Sequence, residues 1–412
     1  VGPITLFDKS FIQSLSVDES VWFDHFFLTN VCPLFYVETL ADLEKPVRQG
    51  RTPEREVAII ADKFPEMHGA PNAFHSDLCI GNLLGEAVPM SGQIPVAGGK
   101  LVDSEGERGV VYEESPEAES FFRWQKQEFG EIERRYARVW REALSGLDLK
   151  NAAKSLRSLG VEFESCKTLE QAKTMAEQIV RGKSDSFGQM NLILTFLNIP
   201  RELSHRILGR WSTAKSPGLV EYAPYAAYVL SVEIFFLLAL KSHLISSDRP
   251  SNRVDMAYLF YLPFCMMFVS ADKLHRLCAP LFLRSDQAFV WGKDLKAGLR
   301  ELNEYYSRLP VAEKEKGIFS FAAEPPKEGE FFVAEIWDRH FPGWREPRSA
   351  EPSSKKLDDL RLRERINKMA DAPELRPHEL ASDPPTETRH LVVRRTIRKV
   401  RGSWHQVPRR SA

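Results

Sequence analysis

Cysteine is scarce in this sequence, and the five present, Cys32, Cys79, Cys166, Cys265 and Cys278, are scattered. They form no CxxC pair and their number is odd, which argues against a disulfide framework and against a zinc ribbon. Net charge is missing too: 56 Lys and Arg stand against 57 Asp and Glu. No global basic field advertises nucleic acid, so any such surface must be local. No long, unbroken apolar run is present either. The longest, from about Tyr225 to Leu240, contains Glu233 and is closed by Lys241 and His243. That is too short and too interrupted for a spanning helix and reads as a buried core helix. The start, Val1-Gly2-Pro3, has no basic-then-apolar leader and reads as a trimmed start, not a signal peptide. A cytoplasmic protein with no membrane partner is the expectation.

Several chemical motifs are absent as well. Gly98-Gly99-Lys100 reads as a hairpin turn, because the GxxxxGK pattern of a phosphate loop is missing. No serine nucleophile elbow with His and Asp partners is found. His68, His75, Asp77 and Cys79 match no zinc spacing and read as a loop with a capped helix.

What is present is ordinary globular material. The 412 residues are 43% hydrophobic, enough for one large core or two to three domains. Residues 1–45 begin with a short apolar run, Ile4 to Phe7, ending at Asp8, and continue with helical spacing of Trp22, Phe23, Phe26 and Phe27. Pro33 suits the first turn of a helix that carries Glu38. Residues 46–222 read as a mostly helical insertion after a Gly- and Pro-rich stretch. Its aromatic residues between 121 and 140 read as core. Residues 223–344 hold the apolar helix, a short helix with Asp255 capped by Ser251 or Asn252, and a buried strand over Phe264 to Val269 ended by Ser270-Ala271-Asp272. Residues 345–412 read as a flexible, charged tail. From Thr386 onward it offers eight Lys or Arg against one acid, with Trp404 as its aromatic.

The informative pattern is four acids in order: Asp8 at a strand end, Glu38 on a helix, Asp255 opening a later helix, and Asp272 just past a buried strand. The carboxyl ends of strands are where an open α/β sheet gathers ligands. Carboxylates collected there repel one another, and a divalent cation resolves the conflict. Mg²⁺ or Mn²⁺ prefers oxygen ligands, and a water it holds can attack a phosphodiester. Each acid alone has an ordinary role: Asp8 in a turn or cap, Glu38 as a solvated helix acid beside Asp42 and Glu44, Asp255 and Asp272 at helix N-termini. Glu233 in the apolar helix needs a partner, for which Arg249 and Arg253 are candidates; the alternative is that it reaches the acidic site.

The stretch Leu6-Phe7-Asp8-Lys9-Ser10 resembles the strand-end Asp motif of PIN domains, and Leu34-Phe35-Tyr36-Val37-Glu38-Thr39-Leu40 resembles their helical Glu motif. Asp255-Met256-Ala257-Tyr258 with Phe264 to Asp272 resembles their closing helix–strand–Asp unit. The resemblance covers about the first 45 residues and about 225 to 300. It implies a PIN-like three-layer α/β/α sandwich with a central parallel sheet and metal-dependent phosphodiester cleavage, with RNA the favoured substrate. Asp8, Glu38, Asp255 and Asp272 would hold one or two Mg²⁺ or Mn²⁺ ions. Ser10 and Ser270 would hydrogen-bond the carboxylates or the phosphate, Lys9 or Lys273 would meet the backbone charge, and Asn252 and Arg253 are further candidate substrate-binding residues. The long separation of Glu38 from Asp255 departs from a minimal domain of this kind, and the insertion is expected to form a lid, a partner surface or a substrate channel. The resemblance also implies a toxin or phage-defence setting with a regulatory protein partner. A DNA nuclease with the same acids, and a non-catalytic RNA-binding or scaffold protein of the same fold, are the alternatives.

Overall fold

The apolar run after Pro3 does become a strand, and every residue of it is buried. The computed structural model describes residues 2–47, 50–96, 98–152, 165–182, 185–346, 355–375 and 390–409. Its first seven strands are β1 (Ile4–Phe7), β2 (Leu28–Val31), β3 (Gly69–Pro71), β4 (Lys100–Ser104), β5 (Glu107–Tyr112), β6 (Met267–Ser270) and β7 (Ala288–Trp291). Five of these form one parallel sheet in the order β3-β2-β1-β6-β7. Leu6 of β1 is level with Asn30 of β2 on one side and with Phe268 of β6 on the other.

Alternation along β1 and β6 feeds two cores. Ile4, Leu6 and Phe268 join one hydrophobic cluster; Phe7, Met267 and Val269 join the other. Helices Pro224–Lys241 and His75–Leu83 contribute to the first cluster, and helices Val17–Phe26 and Gly292–Ser307 contribute to the second. The result is a helix–sheet–helix sandwich. Among the described residues, Pro224–Lys241 is the one helix long and apolar enough to cross a membrane, and it is buried along most of its length. Helices Leu169–Arg181 and Ser186–Phe196 pack on it.

The structure redraws several sequence expectations. The third strand of the sheet, Gly69–Pro71, comes from inside the stretch 46–222 that reads as an insertion. The hairpin turns at Glu105 and Gly106, not at Gly98-Gly99: both have positive φ (56° and 83°), the pair of values a two-residue hairpin loop needs. The buried strand is shorter than Phe264 to Val269. A 3₁₀ helix runs through Tyr258–Phe264 with Pro263 inside it, and pairing starts only at Met267. Side chains satisfy the backbone there: Asn30 Nδ2 donates to the Phe264 carbonyl, and Gln287 Nε2 to those of Leu262 and Cys265.

The largest difference is at the C-terminal end. Helix Lys355–Asp371 and a strand, β8 (His390–Val393), complete a small second sheet beside β4 and β5, closed by Val102, Val111, Met369 and Val392. The chain then returns to the main core. Trp404 is buried, packs edge-on against Trp22 at 4.8 Å, and shares the Asn303 side-chain oxygen with it. Basic residues expected to be free are paired internally: Arg394 with Asp371, Arg398 with Asp62 and Glu66, Arg401 with Asp24, and Arg409 with Glu315. For residues 390–409 the expectation of a flexible basic tail is therefore corrected to a strap docked on acids of the preceding chain; residues 347–354 and 376–389 of the expected tail lie outside the described residues. Arg389 and Arg410 lie outside the described residues.

Buried histidines make the fold sensitive to acid. His25 is 6% exposed; burial, opposed by its hydrogen bond to the Ala322 carbonyl, holds its pKa down to about 4. Its Nδ1 is buried without a partner among the described residues. A folded value below the unfolded one of about 6.5 means that stability is lost as pH falls through that range. Comparison of the wild type with His25→Gln, which keeps a donor for the Ala322 carbonyl, should show the wild type losing about 2 kcal/mol relative to the variant between pH 7 and pH 5. Urea titrations at the two pH values check this, and parallel pH profiles would remove His25 as the cause.

Candidate active site

The connections of the sheet diverge between β1 and β6: β1 leads on towards β2, and β6 towards β7 on the other side. The crevice outside the carboxyl ends of such a strand pair is where open α/β sheets bind ligands. Asp8 is the first residue after β1, and Asp272 is the second after β6. Two of the four acids therefore sit on neighbouring strand ends.

Asp8 is buried and caps helix Lys9–Ser14: its Oδ1 accepts from the Phe11 amide at 3.0 Å. Its Oδ2 accepts from Ser10 Oγ at 2.6 Å and from Ser270 Oγ at 2.8 Å. Beside it stands His275, fully buried, with Nδ1 3.3 Å from Asp8 Oδ2 and 2.8 Å from Ser270 Oγ. The other ring nitrogen donates to the Asp255 carbonyl at 2.6 Å. Burial opposes charge on His275, but the hydrogen bond and charge of Asp8 outweigh it and raise the pKa to about 9. In the same way burial would lift Asp8, and His275 with the two serines holds it below the usual carboxylate range. The pair is a buried carboxylate and imidazolium.

Glu38 lies on helix Pro33–Leu40, where Pro33 takes the first helical turn as the sequence implies. Tyr258 donates to its Oε2 at 2.5 Å. Burial raises the Glu38 pKa, against the pull of Lys9 and Tyr258. Asp255 sits in the short helix Asn252–Ala257. Its pKa is pushed up to about 7 by burial, with Glu38, Asp272 and Asp8 adding to the push and His275 opposing it. Among the described residues no hydrogen bond or ion pair engages its carboxyl. Asp272 caps helix Lys273–Cys278 by accepting from the Leu274 amide at 2.6 Å. Asp255 thus feels the other three acids, but among the described residues no three His, Cys, Asp or Glu side chains stand in a geometry ready for a metal.

The residues expected to meet substrate divide. Ser10 and Ser270 bond the Asp8 carboxylate, one of the two roles expected of them. Lys273 is exposed. Lys9, in contrast, is buried and donates to Asp42 Oδ1 at 2.9 Å and to the Glu38 carbonyl at 3.0 Å, so it braces helix Pro33–Leu40 and does not reach outward. Asn252 is buried on the Ser246 carbonyl. Arg253 pairs with Glu233, which gives that acid its partner and engages the Arg253 guanidinium there. Sequence reasoning missed His275 and Tyr258. Both had a cue: His275 lies one helical turn after Asp272, and Tyr258 lies three residues after Asp255 on a short helical stretch.

Comparison with protein-family models, with curated proteins and with solved structures yields no match to this chain.

Proposed function

We propose that the crevice is the active site of a metal-dependent nuclease that hydrolyses phosphodiester bonds, RNA being the favoured substrate. The observation that carries this reading is Asp255: a carboxyl with no hydrogen bond or ion pair among the described residues, at the switch point of a parallel sheet, its pKa lifted by burial and by three other acids. The donors fit Mg²⁺ or Mn²⁺ in kind, since all four are carboxylates and two have raised pKa values that a cation would relieve. Asp8, Glu38, Asp255 and Asp272 would hold the ion, which would supply an activated water and neutralise charge on the phosphate. The chain's own residues orient these groups. Tyr258 fixes Glu38, and His275 ties Asp8 to the backbone of Asp255. Among the described residues these acids are not preassembled for a metal, so holding an ion would require their side chains to converge.

A toxin or phage-defence role under a protein inhibitor remains part of this proposal through the resemblance alone. The second reading, a scaffold that keeps the fold without cleavage, is favoured by the buried imidazolium that already balances Asp8. The two are separated by Mn²⁺ titration of the full chain followed by calorimetry, together with digests of single-stranded RNA and DNA. Saturable Mn²⁺ binding and EDTA-sensitive cleavage of RNA are expected. Faster cleavage of DNA would reassign the substrate, and absence of both binding and cleavage would leave the scaffold.

A further inference from the structure

A cavity of about 390 Å³ lies away from the acidic crevice. Pro263 and Gln287, which line it, precede β6 and β7, so it opens toward the opposite edge of the sheet from Asp8 and Asp272. None of the four crevice acids lines it. Volumes of this order are those of small-molecule sites, whereas packed interiors leave only voids near the size of a water.

One part of its wall is apolar. Met90, Leu281, Phe282 and Leu283 face helix Pro224–Lys241, which contributes Ala227 and Tyr228. The hydroxyls on that helix are used by the backbone: Tyr228 donates to the Leu259 carbonyl at 2.7 Å and Ser231 to the Ala227 carbonyl at 2.9 Å. The charged part is supplied by two other segments. Lys173, Glu177 and Arg181 follow at intervals of four on helix Leu169–Arg181 and so share a face. Glu177 is bridged from both sides, by Lys173 at 3.1 Å and by Arg181 at 3.5 Å. Arg284 is fixed by Asp286 and by the Met90 carbonyl. The lining has three cations against one carboxylate; with Asp286, which holds Arg284 from outside the lining, the surplus is one positive charge.

We propose that this cavity binds a small amphipathic anion, with an apolar body against Tyr228 and Phe282 and a carboxylate or phosphate head between Lys173, Arg181 and Arg284. The charge surplus selects the head, and the apolar wall contributes in proportion to the area it covers. The site is independent of whether the crevice cleaves phosphodiesters.

Calorimetric titration of the full chain tests this with decanoate and decyl phosphate as anionic probes and decanol as their neutral counterpart. Saturable binding of at least one anion is expected, about tenfold or more tighter than decanol, the effect of one charge-assisted hydrogen bond. Which of the two binds more tightly assigns the head as carboxylate or phosphate. The double variant K173E/R181E, on a partly exposed face, should weaken the anion about tenfold and leave decanol unchanged. Ala227→Phe, which fills the cavity, should remove both. Failure of both anions to saturate, or anion affinity untouched by K173E/R181E, overturns the proposal, and that double variant keeps the test decisive if Ala227→Phe does not fold.

Discussion

Asp24→Ala is expected to cost about 3–5 kcal/mol of folding stability, the range for breaking a buried ion pair from one side. Asp24 is completely buried, and so is its partner Arg401, 3.2 Å away. The same carboxylate also accepts from three backbone amides: Glu66 and Met67 at 2.8 Å and His68 at 2.9 Å. Alanine would leave one buried guanidinium without its counter-charge and three amides without an acceptor. Arg401→Met should cost less, because the carboxylate keeps its three amide donors and methionine replaces the buried stem. Urea denaturation of both single variants and the double variant measures the coupling. An Asp24→Ala protein within about 1 kcal/mol of the wild type would mean that the strap is not held by this contact.

On the proposed nuclease reading, Asp255→Asn should lower metal-dependent cleavage by about 100-fold, the upper end of the range for groups that support a metal site. Its distinguishing feature is what it should not do. Among the described residues no hydrogen bond or ion pair holds the Asp255 carboxyl, and its charge is opposed by burial and by Glu38, Asp272 and Asp8, with only the charge of His275 favouring it, so the amide relieves repulsion and the melting temperature should hold or rise. Asp8→Asn behaves differently. It should also stop cleavage, but it strands the buried imidazolium of His275, and stability should fall with it. Activity assays with thermal melts of the two variants give the split. Cleavage at the wild-type level in Asp255→Asn would remove that residue from the chemistry.

Legibility in the sequence followed the range of the forces involved. Asp8 could be placed at a strand end because a local apolar run stops there, and Glu38 could be placed on a helix because Pro33 marks the start of one. Asp272 was readable as both cap and strand-end acid, and it is both. β3 was not readable: three residues, Gly69–Pro71, only partly buried, carry no alternation to detect. Arg401 and Trp404 looked like parts of a solvated tail because their partners, Asp24, Trp22 and Asn303, are distant in the chain. Composition reports a segment's own tendency and is silent about acids elsewhere that await it. His275 was hidden for the same reason, since its role depends on the far-off Asp8 being brought beside it by β1 and β6 pairing.

The position of β1 in the middle of its sheet sets a timetable for synthesis. One neighbour, β2, follows within a few dozen residues, but the hydrogen bond from Ser270 to Asp8 closes a loop of 262 positions. At about 5–20 residues per second, a growing chain carries β1 with one edge unpaired for on the order of tens of seconds. Ile4, Leu6 and Phe7 belong to cores whose remaining walls have not yet been made. An apolar strand edge exposed for that long is a template for the wrong partner.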